Sequence, residues 1–149
     1  MEEGLIIKQD TEGNPSDMNA LTLAYLGDAV FELSVREHFL MCGSQKVEKL
    51  HKRVTAFVNA GSQSRLFGFL EPLLTEEENA VYRRGRNSKT VTAAKNQKLS
   101  DYRRATGFEA VFGYLFLKGD RERMEELLSV CFAHEENKII NCGTAAEKN

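Results

Sequence analysis

The stretch Leu23-Ala24-Tyr25-Leu26-Gly27-Asp28-Ala29-Val30-Phe31 carries a single charge, and the apolar character continues on both sides of it through Leu21, Leu33, Val35 and Phe39. Nothing breaks a helix until Cys42-Gly43, and upstream Ser16 or Asp17, in Asn14-Pro15-Ser16-Asp17, can cap one. The apolar positions point in nearly every direction around the axis, so the helix is expected to be central and buried. A second stretch has the same character. Phe108-Glu109-Ala110-Val111-Phe112-Gly113-Tyr114-Leu115-Phe116-Leu117 also has one charge, in a helix predicted over about 101–118 and stopped by Gly119-Asp120. The two are expected to pack on each other at the centre of the domain.

Between them, Val47, Leu50, Val54 and Phe57 repeat at helical spacing in a helix expected from Ser44 through about Asn59, and the chain is expected to break around Gly61. Leu66, Phe67, Phe69, Leu70, Leu73 and Leu74 suggest a third helix. Thr75-Glu76-Glu77-Glu78 has the form of a capping box and opens a fourth, ending near Gly85. Residues 86–100 lack apolar periodicity and are expected to form a basic loop. Met124, Leu127, Leu128 and Cys131 mark a sixth helix, with a polar, frayed tail expected after His134. The prediction is an all-α protein with one domain over 17–134, an N-terminal extension over 1–16 and a polar tail over 135–149.

Composition narrows the class. At 149 residues, 42% hydrophobic and 28% charged, the chain suits a single soluble domain. No apolar run approaches the ~20 residues of a membrane span, and the N-terminus lacks the form of a secretory signal, so a cytoplasmic protein is expected. Cys42, Cys131 and Cys142 are widely spaced and form no C-x-x-C pair, which argues against a disulfide framework or a zinc site. The net charge of −2 is unevenly spread: residues 83–104 carry +7, leaving −9 for the remainder. A basic patch on an acidic body points to a polyanion.

Asp28 and Glu109 are lone acids in greasy surroundings, where an unpaired carboxylate costs several kcal/mol to bury. Each can be structural, paired with an arginine, capping a helix or lying on an exposed strip. Alternatively both face one cleft and share a divalent cation, and hard oxygen donors with small neighbours such as Gly27, Ala29 and Ala110 suit Mg²⁺, with Mn²⁺ as a substitute. Glu32, one turn after Asp28, is a weaker candidate ligand. G-x-S-x-G, P-loop and H-E-x-x-H motifs are all lacking. A cation-activated water needs no histidine base. Arg83, Arg84, Arg86, Asn87 and Lys89, with Arg103 and Arg104 one to two turns before Glu109, are the candidate ligands for nucleic-acid phosphates. Their bland reading is a solvated basic loop.

Leu23-Ala24-Tyr25-Leu26-Gly27-Asp28-Ala29-Val30, followed much later by Thr106-Gly107-Phe108-Glu109-Ala110, resembles the paired signatures of the ribonuclease III family. Arg84-Gly85-Arg86-Asn87, Tyr102-Arg103 and Gly113-Tyr114-Leu115-Phe116-Leu117 are similar to its short branch, Mini-ribonuclease III, a catalytic domain without the attached RNA-binding domain. The resemblance implies a homodimeric helical endonuclease domain that hydrolyses double-stranded RNA with Mg²⁺, held by Asp28 and Glu109. It implies maturation of large-subunit (23S-type) precursor ribosomal RNA, and a catalytic domain of the kind without an attached RNA-binding domain suggests a ribosomal protein as presenter of the substrate. Ala24 and Thr106 stand where the larger family has two further acids. They leave open a second reading, a catalytically inactive duplex-RNA-binding module of the same fold.

Overall fold

The computed structural model describes residues 13–88 and 98–146, with side chains as far as His134. Among the described residues six helices follow one another: α1 (Ala20–Met41), α2 (Val47–Val58), α3 (Ala60–Leu70), α4 (Glu76–Arg86), α5 (Leu99–Lys118) and α6 (Arg121–Ala146). Short 3-10 turns lie at Pro15–Asp17 and Glu71–Leu73. The described residues contain no strand, and no helix among them is long and apolar enough to cross a membrane.

α5 is the helix the others surround. From Ala105 to Leu115 every residue but Glu109 is buried. Two pairs of glycines let neighbouring backbones come against it. A Cβ on Gly27 of α1 would lie 1.7 Å from the carbonyl oxygen of Glu109, and one on Gly113 would lie 2.0 Å from that of Leu23. On another face, a Cβ on Gly85 of α4 would lie 2.9 Å from the Cα of Gly107. Around these crossings Phe31 packs edge-on against Phe108 with centroids 4.8 Å apart, and Phe112 and Phe57 complete the cluster.

Several predicted ends hold. Thr75 and Glu78 form the capping box, with bonds of 2.9 and 3.1 Å. Arg123 of α6 donates to both Glu78 carboxylate oxygens at 2.9 Å and to the Leu73 carbonyl at 2.6 Å, so this cap also fastens α6 to α4. Gly119, at φ 76°, ends α5 in a left-handed turn, and Asp120 Oδ1 accepts from Arg123 N–H to start α6.

Other expectations are corrected. Asn14 and Pro15 build a separate 3-10 turn, Met18 is extended, and Asn19 rather than Ser16 or Asp17 caps α1 by accepting from Leu21 N–H at 2.8 Å. The second helix starts at Val47 rather than Ser44. The break expected at Gly61 falls at Asn59, whose amide NH₂ donates to Thr55 and Ala56 carbonyls while its Oδ1 accepts from Ser62 N–H, closing α2 and opening α3 with one side chain. α6 continues as helix to Ala146, past the frayed end expected after His134. Most consequential, α1 is not buried all round. Tyr25 is 85% exposed and Leu33 53%, with Leu40 and Met41 also bare, because this chain covers only one of the helix's two apolar faces.

The glycine crossing makes a stability contrast. Gly27→Ala should lose at least the roughly 1–3 kcal/mol typical of overpacking. Gly68→Ala, inside α3 with nothing within 4 Å of the new Cβ, should gain about 0.5–1 kcal/mol from the stiffer backbone. Urea unfolding of both variants checks this, and a neutral Gly27→Ala would show that the backbones can separate at little cost.

Candidate active site

The α1–α5 crossing sets the first side chain after Gly27 beside the residue whose carbonyl Gly27 touches. Those residues are Asp28 and Glu109, and their carboxyls come within hydrogen-bonding reach of each other. The sequence left open whether each acid was structural, on an exposed strip for example, or whether both faced one cleft. Asp28 is exposed and Glu109 is recessed behind it. Burial and the neighbouring Asp28 charge push the Glu109 carboxyl up to about 8, against an opposing pull from the side-chain amide of Gln63 on α3. A cation between the two carboxyls would remove both the repulsion and the need for the proton. The donors, two hard carboxylate oxygen groups with open space on the Asp28 side, fit a divalent ion of the Mg²⁺ kind. Among the described residues no group of three or more His, Cys, Asp and Glu side chains is assembled. Ala24 is buried against the core and Thr106 donates to the Tyr102 carbonyl at 3.0 Å, so neither position supplies a further acid. Glu32 pairs with Arg36 at 3.4 Å along α1.

The basic residues collect on a different side of α5. Arg86 lies over the Tyr82 ring, its carbon 5.7 Å from the centroid, and Arg104 also bears on the Tyr82 hydroxyl. Burial raises that hydroxyl's pKa, and the two arginines partly offset the rise. Asn87 caps α4 and accepts from Arg86 Nε at 3.3 Å. Arg83, Arg103 and Arg104 are exposed. At 3.6 residues per turn, Arg103 and Arg104 sit roughly 7–9 Å along the axis from Glu109 but about 120–140° around it. The closeness inferred from sequence separation alone therefore holds along the helix and not around it. Arg84 donates to the carbonyls of Ser16 and Met18, which makes it the anchor of the N-terminal turn. Lys89 lies outside the described residues.

Gln63 was missed from the sequence. Its position three, four and seven residues before Leu66, Phe67 and Leu70 places it on the apolar face of α3, and that spacing was the available signal.

Residues 21–120 match the model of the ribonuclease III domain. Mini-ribonuclease 3 of Clostridium tetani is 42% identical over 134 residues, covering 89% of each chain. The same-named protein of Desulfitobacterium hafniense is 51% identical over 108 residues, covering 72% of this chain and 68% of its own. A crystal structure of a protein from Fusobacterium nucleatum superposes with a TM-score of 0.72 at 32% identity, over 80% of this chain and 95% of that one. The chain belongs to the ribonuclease III family, with the curated Mini-ribonuclease 3 proteins as its relatives. Its activity is accordingly that of an endoribonuclease acting on double-stranded RNA.

The raised Glu109 carboxyl has a stability consequence. It keeps its proton to about pH 8 when folded and loses it near the ordinary value of 4.5 when unfolded. Its stabilising share is therefore full below about pH 4 and drains away as pH climbs to about 9. In EDTA, the parent should lose thermal stability between about pH 6 and pH 9, and Glu109→Gln should lose less. Parallel curves for the two would contradict the assignment of this strain to Glu109.

Proposed function

We propose that Asp28 and Glu109 are the catalytic pair of this endoribonuclease and together hold Mg²⁺, or Mn²⁺ in its place. The observation that carries this is the meeting of two carboxyls from separate helices, at a surface opening, with no protein cation acting on Glu109 among its described neighbours. When bound, the ion supplies a polarised water and charge compensation at the scissile phosphate. The residues divide the remaining work. Asp28, on the solvent side, is the carboxylate an incoming phosphate meets, and Glu109 anchors from behind. Arg83, Arg86, Asn87, Arg103 and Arg104 grip the duplex backbone away from the carboxyls, an arrangement suited to reading A-form shape rather than base sequence, and Lys89 is assigned to the same role from its place in the sequence alone. Arg84 contributes by holding the turn at Ser16 and Met18.

The active form is a homodimer. A groove of about 650 Å³ runs between α1, α5 and α6, lined by Leu26, Val30, Leu33, Leu115, Phe116 and Leu128 among others. With Tyr25 and Leu33 more than half exposed beside it, this is an apolar face of the kind that a second protomer covers. The substrate class is precursor large-subunit ribosomal RNA in the cytoplasm, with a ribosomal protein as the presenter of the duplex.

The test is cleavage of duplex RNA with Mg²⁺ and with EDTA, comparing parent, Asp28→Asn and Glu109→Gln. Each substitution removes several kcal/mol of transition-state stabilisation, a loss on the order of 10³-fold. The parent's products should end in 5′-phosphate and 3′-hydroxyl. Parent-like rates in both variants would remove the pair from the mechanism, and tight binding without cutting would make the chain an inactive module. In sedimentation, Leu33→Glu should turn a dimer into a monomer, and a monomeric parent would refute the assembly.

A further inference from the structure

Ser62, Gln63 and Ser64 are three consecutive polar residues, all buried on α3 where it packs against α5. Ser62 is accounted for: its Oγ donates to the Ala56 carbonyl at 2.7 Å and its N–H donates to Asn59 at 2.9 Å. Gln63 is not. It is 1% exposed and its amide lies against the Glu109 carboxyl, yet its Nε2 has no partner at hydrogen-bonding geometry. A buried amide nitrogen left without a partner is costly, and methionine would fill the same space without that cost. Packing alone therefore does not account for glutamine here.

We propose that Gln63 is a positioning residue for Glu109, its side-chain N–H groups holding one carboxylate oxygen from the α3 side so that the other faces Asp28 and the cation. The inference rests on the pairing of Asp28 and Glu109 proposed above. Three features fit this role. Asp28 repels Glu109 from the solvent side, so a donor on the opposite side is needed to keep Glu109 from turning away. The donor is neutral, and so orients the carboxylate without neutralising the charge that attracts the ion, as an arginine or lysine would. It sits on a rigid helix turn whose start is fixed by Asn59, so its approach to α5 is set by backbone rather than by a loop. Residues that orient a metal-binding carboxylate typically contribute 10–100-fold to affinity or rate.

The experiment measures Mn²⁺ binding by electron paramagnetic resonance, single-turnover cleavage, and unfolding in EDTA, for parent, Gln63→Met, Gln63→Leu and Glu109→Gln. The expected result is that Gln63→Met folds at least as stably as the parent in EDTA but binds Mn²⁺ about tenfold or more weakly. Its kcat should fall by a similar factor while KM for RNA stays unchanged. Parental Mn²⁺ affinity and kcat in a stably folded Gln63→Met would overturn the proposal. So would loss of folding in both the Met and Leu variants, which would make the glutamine a packing residue. If the parent binds no Mn²⁺, or Glu109→Gln binds it as well as the parent, the underlying metal assignment fails. If Glu109→Gln loses the ion and Gln63→Met keeps it, only the positioning role fails.

Discussion

The contact between the α1 and α5 backbones at Gly27 and Gly113 is the constraint on which the rest of this molecule depends. Only glycine permits it, since a methyl group at either position would overlap a carbonyl oxygen of the other helix. The consequence is positional. Asp28 follows Gly27 in sequence, Glu109 supplies the carbonyl that Gly27 touches, and so two acids far apart in the chain become neighbours. A wider crossing, of the 8–10 Å usual for packed helices, would leave each acid with its own hydration and nothing in common. Sequence, packing and chemistry meet at this point: two glycines set a helix distance, and the distance makes a site.

The site is an electrostatic liability in the absence of an ion. Glu109 sits between a repelling carboxylate and a buried amide, and burial adds to the cost of its charge. Strain of this sort is tolerable because the scaffold around it is over-determined. The aromatic cluster of Phe31, Phe57, Phe108 and Phe112 and the α4–α5 glycine contact hold α5 in place independently of the acids, and the Glu78–Arg123 clamp fastens α6 to α4. The positive charges are kept apart from this strain. Had Arg103 or Arg104 turned toward Glu109, an internal ion pair would have satisfied the carboxyl. Their placement around the far side of α5 leaves them exposed and available for the proposed grip on RNA.

How much of this was legible in the sequence depended on the range of the interaction involved. Thr75 with Glu78 and Gly119 with Asp120 are local devices, and their chemistry is complete within four residues, so reading them required no knowledge of the fold. The end of α2 near Asn59 was legible, but the double role of its amide was not, because it serves two helices at once and the more familiar breaker, Gly61, stood nearby. The two acids could be singled out as lone charges in apolar helices, but whether they met, and which one faced solvent, was decided by the crossing. The apolar excess of α1 was visible, while its meaning was not: an all-round greasy helix reads equally as a buried one or as one with a face left for a partner. Gln63 lay on the apolar stripe of α3, and that spacing marked it for burial, but nothing local marked Glu109 of a distant helix as its neighbour.

The most direct test of the account is a crystal structure of the protein soaked with Mn²⁺, with data collected for anomalous scattering. The account predicts a peak between Asp28 and Glu109, with an oxygen of each carboxylate at roughly 2.0–2.6 Å. An empty site at saturating Mn²⁺, or a carboxyl of either residue bonded to a protein cation in its place, would contradict it.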